Sequence, residues 1–172
     1  MTMHQKLVER AVSWLYGTMR CNVVFSGNAS TVEIPDAIGW GTNRRCDGSI
    51  VVECKTSTED FLRDKRKGRM QWSAGYEKKV FVPRKRMGNV RYFLTTPGTI
   101  LPGQVLRHYP DHGLIYMEGR RVPIVVEAPI REDVNHDAEI RFLQFALVHI
   151  RKNLVANGVE SDLNRLSKWV SG

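Results

Sequence analysis

The sequence predicts an α/β fold in which a small mixed central sheet is flanked by helices. Apolar side chains recur at helical spacing in residues 4–19 and 137–154, and between them lie short apolar segments bounded by Gly, Pro, Asn and Asp. The chain has 172 residues, of which 42% are hydrophobic and 26% are charged. That size and composition suit one core, so we expect a single domain over residues 1–172 that includes a helical segment at 135–172.

The first half of the chain predicts a helix, three short strands and a second helix. The first helix spans His4–Met19. The strands follow at Asn22–Ser26, Val32–Ile38 and Ser49–Lys55. Gly39–Arg45 is rich in turn-forming residues and Asp47-Gly48 is a turn signal, so the last two strands are expected to form a hairpin. The second helix is expected to begin near Thr58 and to run towards Lys67.

The second half predicts further strands and a long helix. The strands are expected at Lys79–Val82, Val90–Thr95, Leu114–Met117 and Val122–Glu127. Asp137–Leu154 is the clearest helix, because an apolar side chain recurs every three or four residues. A short final helix is expected after Ser161. His108 and His112 flank Tyr109-Pro110 and show no metal-ligand spacing, so we interpret them as residues of a surface loop.

Positive charge is concentrated in one segment. The formal net charge is +8, and residues 63–91 carry eleven Lys or Arg against two acidic residues. A localised basic surface is typical of proteins that bind the phosphate backbone of nucleic acids, although it is also compatible with a solvated helix face. The residues predicted to contact nucleic acid are Arg63, Lys65, Arg66, Lys67, Arg69, Lys78, Lys79, Arg84, Lys85 and Arg86.

Two carboxylates and a lysine are the candidates for catalytic chemistry. Side chains alternate along a strand, so Glu53 and Lys55 share one face, and a hairpin would bring Asp36 close to Glu53. Mg²⁺ prefers hard oxygen ligands and commonly uses one or two carboxylates together with a substrate phosphate. Asp36 and Glu53 could supply the carboxylates and the Cys54 carbonyl a third oxygen. Lys55 could orient a water molecule or neutralise charge that develops on the phosphate.

Other roles for these residues remain open at the level of sequence. Asp47 could replace Asp36 as a ligand, although it lies in a predicted turn. Asp36 could simply end a strand, and Glu53 could pair with Lys55 or Arg45 on a solvated sheet face.

The order of these residues resembles a known family of nucleases. A helix with Glu9, a strand with Pro35-Asp36, and a strand with Glu53-Cys54-Lys55 before a helix resemble the PD-(D/E)XK nuclease superfamily. That resemblance implies a restriction-endonuclease-like core. It also implies that Asp36 and Glu53 bind the metal, that Lys55 is catalytic, and that Glu9 adds a further acidic group. An ordinary surface role for Glu9 remains open.

A narrower resemblance covers about residues 9–129. The segments 55–61 and 91–98, followed by Gly113-Leu114-Ile115 and Glu127-Ala128-Pro129, resemble the MmcB-type DNA-repair and phage nuclease-like branch. This branch implies a role in DNA repair, recombination or phage DNA processing.

The sequence thus predicts a Mg²⁺-dependent DNA endonuclease, with Mn²⁺ able to substitute. The alternatives are a non-catalytic nucleic-acid-binding module on a nuclease-like fold and an enzyme that cleaves RNA. Relatives of this kind often act as dimers, so a homodimer is compatible with the resemblance. We expect no membrane partner and a cytoplasmic location, in a bacterium or a phage-infected cell, because no apolar run approaches the length of a membrane span and the N-terminus lacks a signal pattern.

Binding to DNA is expected to weaken steeply as the salt concentration rises. The basic segment would displace counterions from phosphates, and each neutralised phosphate steepens the dependence of affinity on salt. Titrations of fluorescent DNA at low and at physiological salt measure this dependence. An affinity that does not change between the two would exclude the basic segment from DNA binding.

Overall fold

Six strands form a mixed sheet, and helices cover both of its faces. The computed structural model describes residues 1–27, 34–64, 68–72, 79–83 and 86–156. The elements in chain order are α1 (Met3–Gly17), β1 (Val23–Ser26), β2 (Ala37–Asn43), β3 (Cys46–Cys54), α2 (Thr58–Asp64), β4 (Gly68–Trp72), β5 (Lys79–Pro83), β6 (Val90–Thr95), α3 (Pro102–His108), β7 (Gly113–Tyr116), β8 (Ile124–Val126) and α4 (His136–Ala156).

The sheet changes from antiparallel to parallel pairing at its centre. The strand order is β1-β2-β3-β6-β7-β8. The pairs β1–β2, β2–β3 and β7–β8 are antiparallel, whereas β6 pairs in parallel with both β3 and β7. β4 and β5 form a separate antiparallel pair. The predicted class, an α/β fold with a small mixed central sheet flanked by helices, is confirmed.

Helix α1 covers one face of the sheet. A capping box starts the helix, because Thr2 Oγ1 accepts from the Gln5 amide and Gln5 Oε1 accepts from the Thr2 amide. Its buried stripe is Leu7, Ala11, Trp14 and Leu15, as the sequence predicts. The stripe belongs to a core cluster that includes Ile50, Val52 and Cys54 of β3. The alternate residues of β3, Val51 and Glu53, therefore lie on the other face.

Two apolar clusters occupy that other face. Val51 belongs to a cluster with Phe142 of α4, and Phe93 of β6 belongs to a cluster with Phe61 of α2 and Val105 of α3. No helix in the described ranges is long and apolar enough to span a membrane.

A buried carboxylate attaches α4 to the sheet. Glu139 Oε1 accepts from the Ser49 hydroxyl at 2.6 Å and from the Gly88 amide at 2.8 Å. Asn89 completes this contact, because its side-chain Oδ1 accepts from the Ser49 backbone amide and its backbone amide donates to Ser49 Oγ. The long helix is thus joined to β3 and to the segment before β6.

The predicted hairpin exists, but its turn lies elsewhere. Gly39–Asn43, read as a turn, belongs to β2, and Asp47-Gly48 belongs to β3. The two-residue turn is Arg44-Arg45, where Asn43 Oδ1 accepts from the Arg45 amide at 2.9 Å. Gly39 is required for close packing, because a Cβ there would lie 2.8 Å from the Cys21 sulfur.

The other elements lie close to their predicted positions, except that β2 is shifted and two elements were not predicted. β2 begins at Ala37 rather than Val32, and residues 28–33 lie outside the described ranges. Strand β4 and helix α3 were not predicted, although Pro102 at the start of α3 is a known signal for the first turn of a helix. The helix expected after Ser161 lies outside the described residues, as do residues 65–67 of the second predicted helix.

Replacing Gly113 by Ala is expected to destabilise the fold by about 1–3 kcal/mol. The new Cβ would overlap the Tyr92 ring and would lie 2.6 Å from the Val126 carbonyl oxygen, between two neighbouring strands. Gly103→Ala in α3 is the matched control, because nothing lies within 4 Å of its added Cβ. Urea unfolding measures both free energies, and a Gly113→Ala protein as stable as wild type would refute the packing at β7.

Candidate active site

Asp36 lies just before β2 and contacts the end of β3. Its Oδ2 accepts a hydrogen bond from the Cys54 amide at 2.7 Å. Its Oδ1 lies 3.2 Å from Nε2 of His4 in the first turns of α1. The pairing of Ala37 with Val52, extended by one residue, puts Asp36 opposite Glu53. Asp36 therefore joins the N-terminal part of α1 to the C-terminal end of β3, and its side chain stays 24% exposed.

Glu53 is buried and forms an ion pair. Its Oε1 lies 3.1 Å from Nη2 of Arg91, and Arg91 has no exposed surface. The interpretation of Glu53 as one partner of a solvated pair with Lys55 or Arg45 is wrong, since Glu53 is only 5% exposed. Arg45 instead donates to the Thr18 carbonyl.

Lys55 directly follows β3 and is also buried. Its amide donates to the Leu94 carbonyl at 2.9 Å, which continues the parallel pairing with β6. Its ammonium lies 3.9 Å from the carboxylate of Asp60 in the first turn of α2. The Ser57 hydroxyl accepts from the Asp60 amide and so caps the start of α2. The helix start thus fixes the residue that faces Lys55.

The pKa of the Cys54 thiol is affected by the charges of Asp36, Glu53 and Lys55. Burial raises the pKa of this thiol well above its ordinary value, and the negative charges of Asp36 and Glu53 raise it further, whereas Lys55 lowers it. The environment of the Cys54 thiol is thus unfavourable to its charged form.

Glu9 is exposed on α1 and lines an open cleft. The cleft has a volume of about 470 Å³ and is lined by Met1, His4, Gln5, Val8 and Glu9. His4 connects it to Asp36. Because α1 covers the face opposite to Glu53, Glu9 lies near the Asp36 side of the site rather than beside Glu53.

Asp47 lies at the far end of β3. It pairs with Thr42 next to the hairpin turn and is exposed. Six residues separate it from Glu53, which corresponds to roughly 20 Å along a strand. Asp36, and not Asp47, therefore lies at the end of β3 that carries Glu53.

Only part of the predicted basic surface falls within the described residues. Arg63 is exposed in the last turn of α2, and Arg86 is partly exposed before β6. The backbone of Arg69 lies in β4 and that of Lys79 begins β5. Outside the described ranges lie Lys65, Arg66, Lys67, Lys78, Arg84 and Lys85. Arg91, which was counted in the basic segment, is wholly buried and contributes nothing to a binding surface.

His112 is part of the core rather than of a surface loop, so that interpretation is wrong. It is 2% exposed, and its ring stacks on Phe93 with centroids 4.8 Å apart. Its Nε2 lies 3.1 Å from Nε of Arg91, and its Nδ1 lies 2.8 Å from Oδ1 of Asp111. The signal for this contact was an arginine within the apolar strand β6, two positions before Phe93 and therefore on the same face.

The residue types of the site are those that bind a hard divalent cation. Asp36 contacts the backbone amide of Cys54 and Glu53 is paired with Arg91, and Mg²⁺ commonly uses one or two carboxylates plus water and phosphate. Within the described part of the chain, no group of three or more His, Cys, Asp or Glu side chains could hold a metal ion.

Comparisons with known proteins identify a similar fold but assign no function. No family model matches the chain, and no curated protein does. A solved structure of a protein of unknown function from Silicibacter pomeroyi is similar, with a TM-score of 0.58 and 19% sequence identity. The match covers 93% of this chain and 94% of that one. The two proteins share a fold along nearly their whole length.

Replacing Asp36 by Ala is expected to lower the free energy of unfolding by about 1–2 kcal/mol, because the Cys54 amide loses its acceptor. Asp36→Asn retains an acceptor and should be less affected. Asp47→Ala, at the exposed far end of β3, is the control and should be near neutral. Chemical denaturation measures all three, and equal stability of Asp36→Ala and wild type would contradict this contact.

Proposed function

We propose that this protein is a Mg²⁺-dependent DNA endonuclease that hydrolyses phosphodiester bonds at Asp36, Glu53 and Lys55. The observation that carries the proposal is the hydrogen bond from the Cys54 amide to Asp36, because it holds Asp36 beside the residue that separates Glu53 from Lys55. The resemblance to PD-(D/E)XK nucleases, with their restriction-endonuclease-like core, and the net charge of the segment after the site support the same conclusion.

Each residue has a distinct role in this proposal. Asp36 and Glu53 would hold the cation together with the Cys54 carbonyl, and Glu9 would be a further acidic group near the Asp36 side. A bound Mg²⁺ supplies a Lewis acid for the phosphate and lowers the pKa of a coordinated water. Lys55 would place its ammonium beside the scissile phosphate, since a compact cation held in a buried position stabilises developing negative charge.

The substrate is expected to be DNA that approaches from the side of α2. This helix starts three residues after Lys55, and the basic segment begins at the exposed Arg63 in its last turn. A nuclease of this kind would serve DNA repair, recombination or phage DNA processing in the cytoplasm of a bacterium or an infected cell. A homodimer is compatible with the resemblance.

Glu53→Gln and Lys55→Gln are expected to lower the rate of DNA cleavage by at least about 100-fold while leaving DNA affinity largely intact. Glu53→Gln keeps an oxygen for Arg91, so loss of activity would not reflect loss of that contact. The matched controls are Glu59→Gln and Lys6→Gln, both exposed.

The assay is a panel of linear, single-stranded, flap and four-way DNA, with an RNA arm, in Mg²⁺ and in Mn²⁺. Variants that cut as fast as wild type would show that these residues are not catalytic. Cleavage of RNA alone would assign the same chemistry to a ribonuclease.

One observation favours a second candidate, a non-catalytic nucleic-acid-binding module on a nuclease-like fold. Glu53 is neutralised by a buried arginine, so its charge already has a partner without a metal. Such a module would bind DNA with the basic segment and would have no need for a divalent cation.

Metal-dependent stabilisation separates the two candidates. The nuclease is expected to melt at a higher temperature in Mg²⁺ or Mn²⁺, since ligand at 100 times its Kd stabilises a folded protein by about 2.7 kcal/mol. Chelator-treated samples without added metal give the baseline melting temperature. The Glu53→Gln variant should lose the increase that Mg²⁺ or Mn²⁺ produces. DNA binding with no metal-dependent change in melting temperature would favour the binding module.

A further inference from the structure

A chain of buried polar side chains runs from the candidate site to the surface beside β7. Arg91 donates from Nη2 to Glu53 and from Nε to His112, each at 3.1 Å, and from Nη1 to the Met87 carbonyl. His112 Nδ1 lies 2.8 Å from Oδ1 of Asp111, which is 47% exposed. The chain therefore has an inner end at Glu53 and an outer end in solvent.

The tautomer of His112 follows from its partners. An arginine Nε always carries a proton, so His112 Nε2 must accept, and its proton must lie on Nδ1 and be donated to Asp111. Burial lowers the pKa of His112 and the charge of Arg91 lowers it further, although the contact with Asp111 opposes this. The neutral ring is also held in place by stacking on Phe93.

The guanidinium of Arg91 has little freedom to turn. Its three donor nitrogens each have an acceptor on a different element, namely β3, the segment before β6, and the residue before β7. A planar donor group that is fixed at three points also fixes the carboxylate it binds. Removing the acceptor at Nε would take a hydrogen bond from a buried N–H, and a rotation of the guanidinium would then displace Glu53.

We propose that His112 is a positioning residue of the candidate site: it holds Arg91, and Arg91 holds the carboxylate of Glu53 at the end of β3. The consequence for catalysis rests on the proposed nuclease function. The positioning itself does not, so the two can be tested separately.

A matched pair of variants isolates the contact. The amide of His112→Gln reaches as far as Nε2 and can accept from Arg91, whereas the shorter amide of His112→Asn reaches only the position of Nδ1, next to Asp111. His112→Phe keeps a ring for stacking on Phe93 but has no acceptor. His149→Gln, at an exposed position of α4, is the control for a general effect of losing a histidine.

The first measurement is the rate of hydrogen exchange at Arg91 Nε, monitored by side-chain ¹⁵N NMR of the full chain. Exchange is expected to be about tenfold faster in His112→Asn and His112→Phe than in wild type, the factor that corresponds to one hydrogen bond to a charged group. His112→Gln and His149→Gln should stay close to wild type. If His112→Phe does not fold, the Asn and Gln pair decides. Equal exchange in Asn, Gln and wild type would overturn the proposal.

The second measurement is DNA cleavage in Mg²⁺. His112→Asn is expected to lose about tenfold in kcat with little change in KM, and His112→Gln should recover most of that loss. A purely structural role would instead lower the stability of both variants without separating their kcat values. If the wild-type protein does not cleave, the nuclease function fails, while the exchange at Arg91 still decides whether His112 positions the guanidinium.

Discussion

The buried ion pair between Glu53 and Arg91 is the constraint on which much of this structure depends. Two charges removed from water are tolerated only when they are close together and their remaining donors and acceptors are satisfied. Here the guanidinium reaches a carboxylate, a carbonyl and an imidazole, all from different parts of the chain. Removal of one partner from such a pair commonly costs about 3–5 kcal/mol, so the β3–β6 pairing and the segment before β7 are fixed together.

This constraint explains the position of the candidate site. The face of the sheet that carries Glu53 has two apolar clusters, with Val51 on one side and Phe93 on the other. A carboxylate at that position requires a cation, and Arg91 supplies it from the neighbouring strand. Asp36 accepts from the backbone of Cys54 in the same strand and also contacts His4 of α1. The site thus combines a buried acidic group with one that stays partly open to solvent.

The same arrangement has a consequence for a bound cation. A divalent ion at Glu53 would share its carboxylate with Arg91, and the two positive charges would repel each other. The position of the guanidinium would therefore affect both metal affinity and the orientation of the ligand.

Periodicity and residue spacing were sufficient to predict the fold class, most elements and the candidate residues. The α1 stripe, strand β6 and helix α4 follow from periodicity, because a side chain's burial in these elements repeats with the geometry of the backbone. The alternation along β3 correctly assigned Val52 and Cys54 to the core and Glu53 to the other face. The hairpin brings Asp36 to the end of β3, although Asp36 precedes β2 and does not lie near the end of a strand at Val32–Ile38.

The partners of the charged residues depend on contacts between distant segments of the chain. The hairpin turn is stabilised by the Asn43 side chain, and glycine is needed at position 39 because Cys21 packs against it. Local turn preferences predict neither feature. From the sequence, Arg91 was counted as surface charge and His112 as a loop residue. The pairing of β6 with β7 buries both and brings them into contact. Charge and spacing are properties of the sequence, whereas the pairing of a buried cation depends on contacts between residues far apart in the chain. For Glu53 and Arg91, 38 residues separate the two partners.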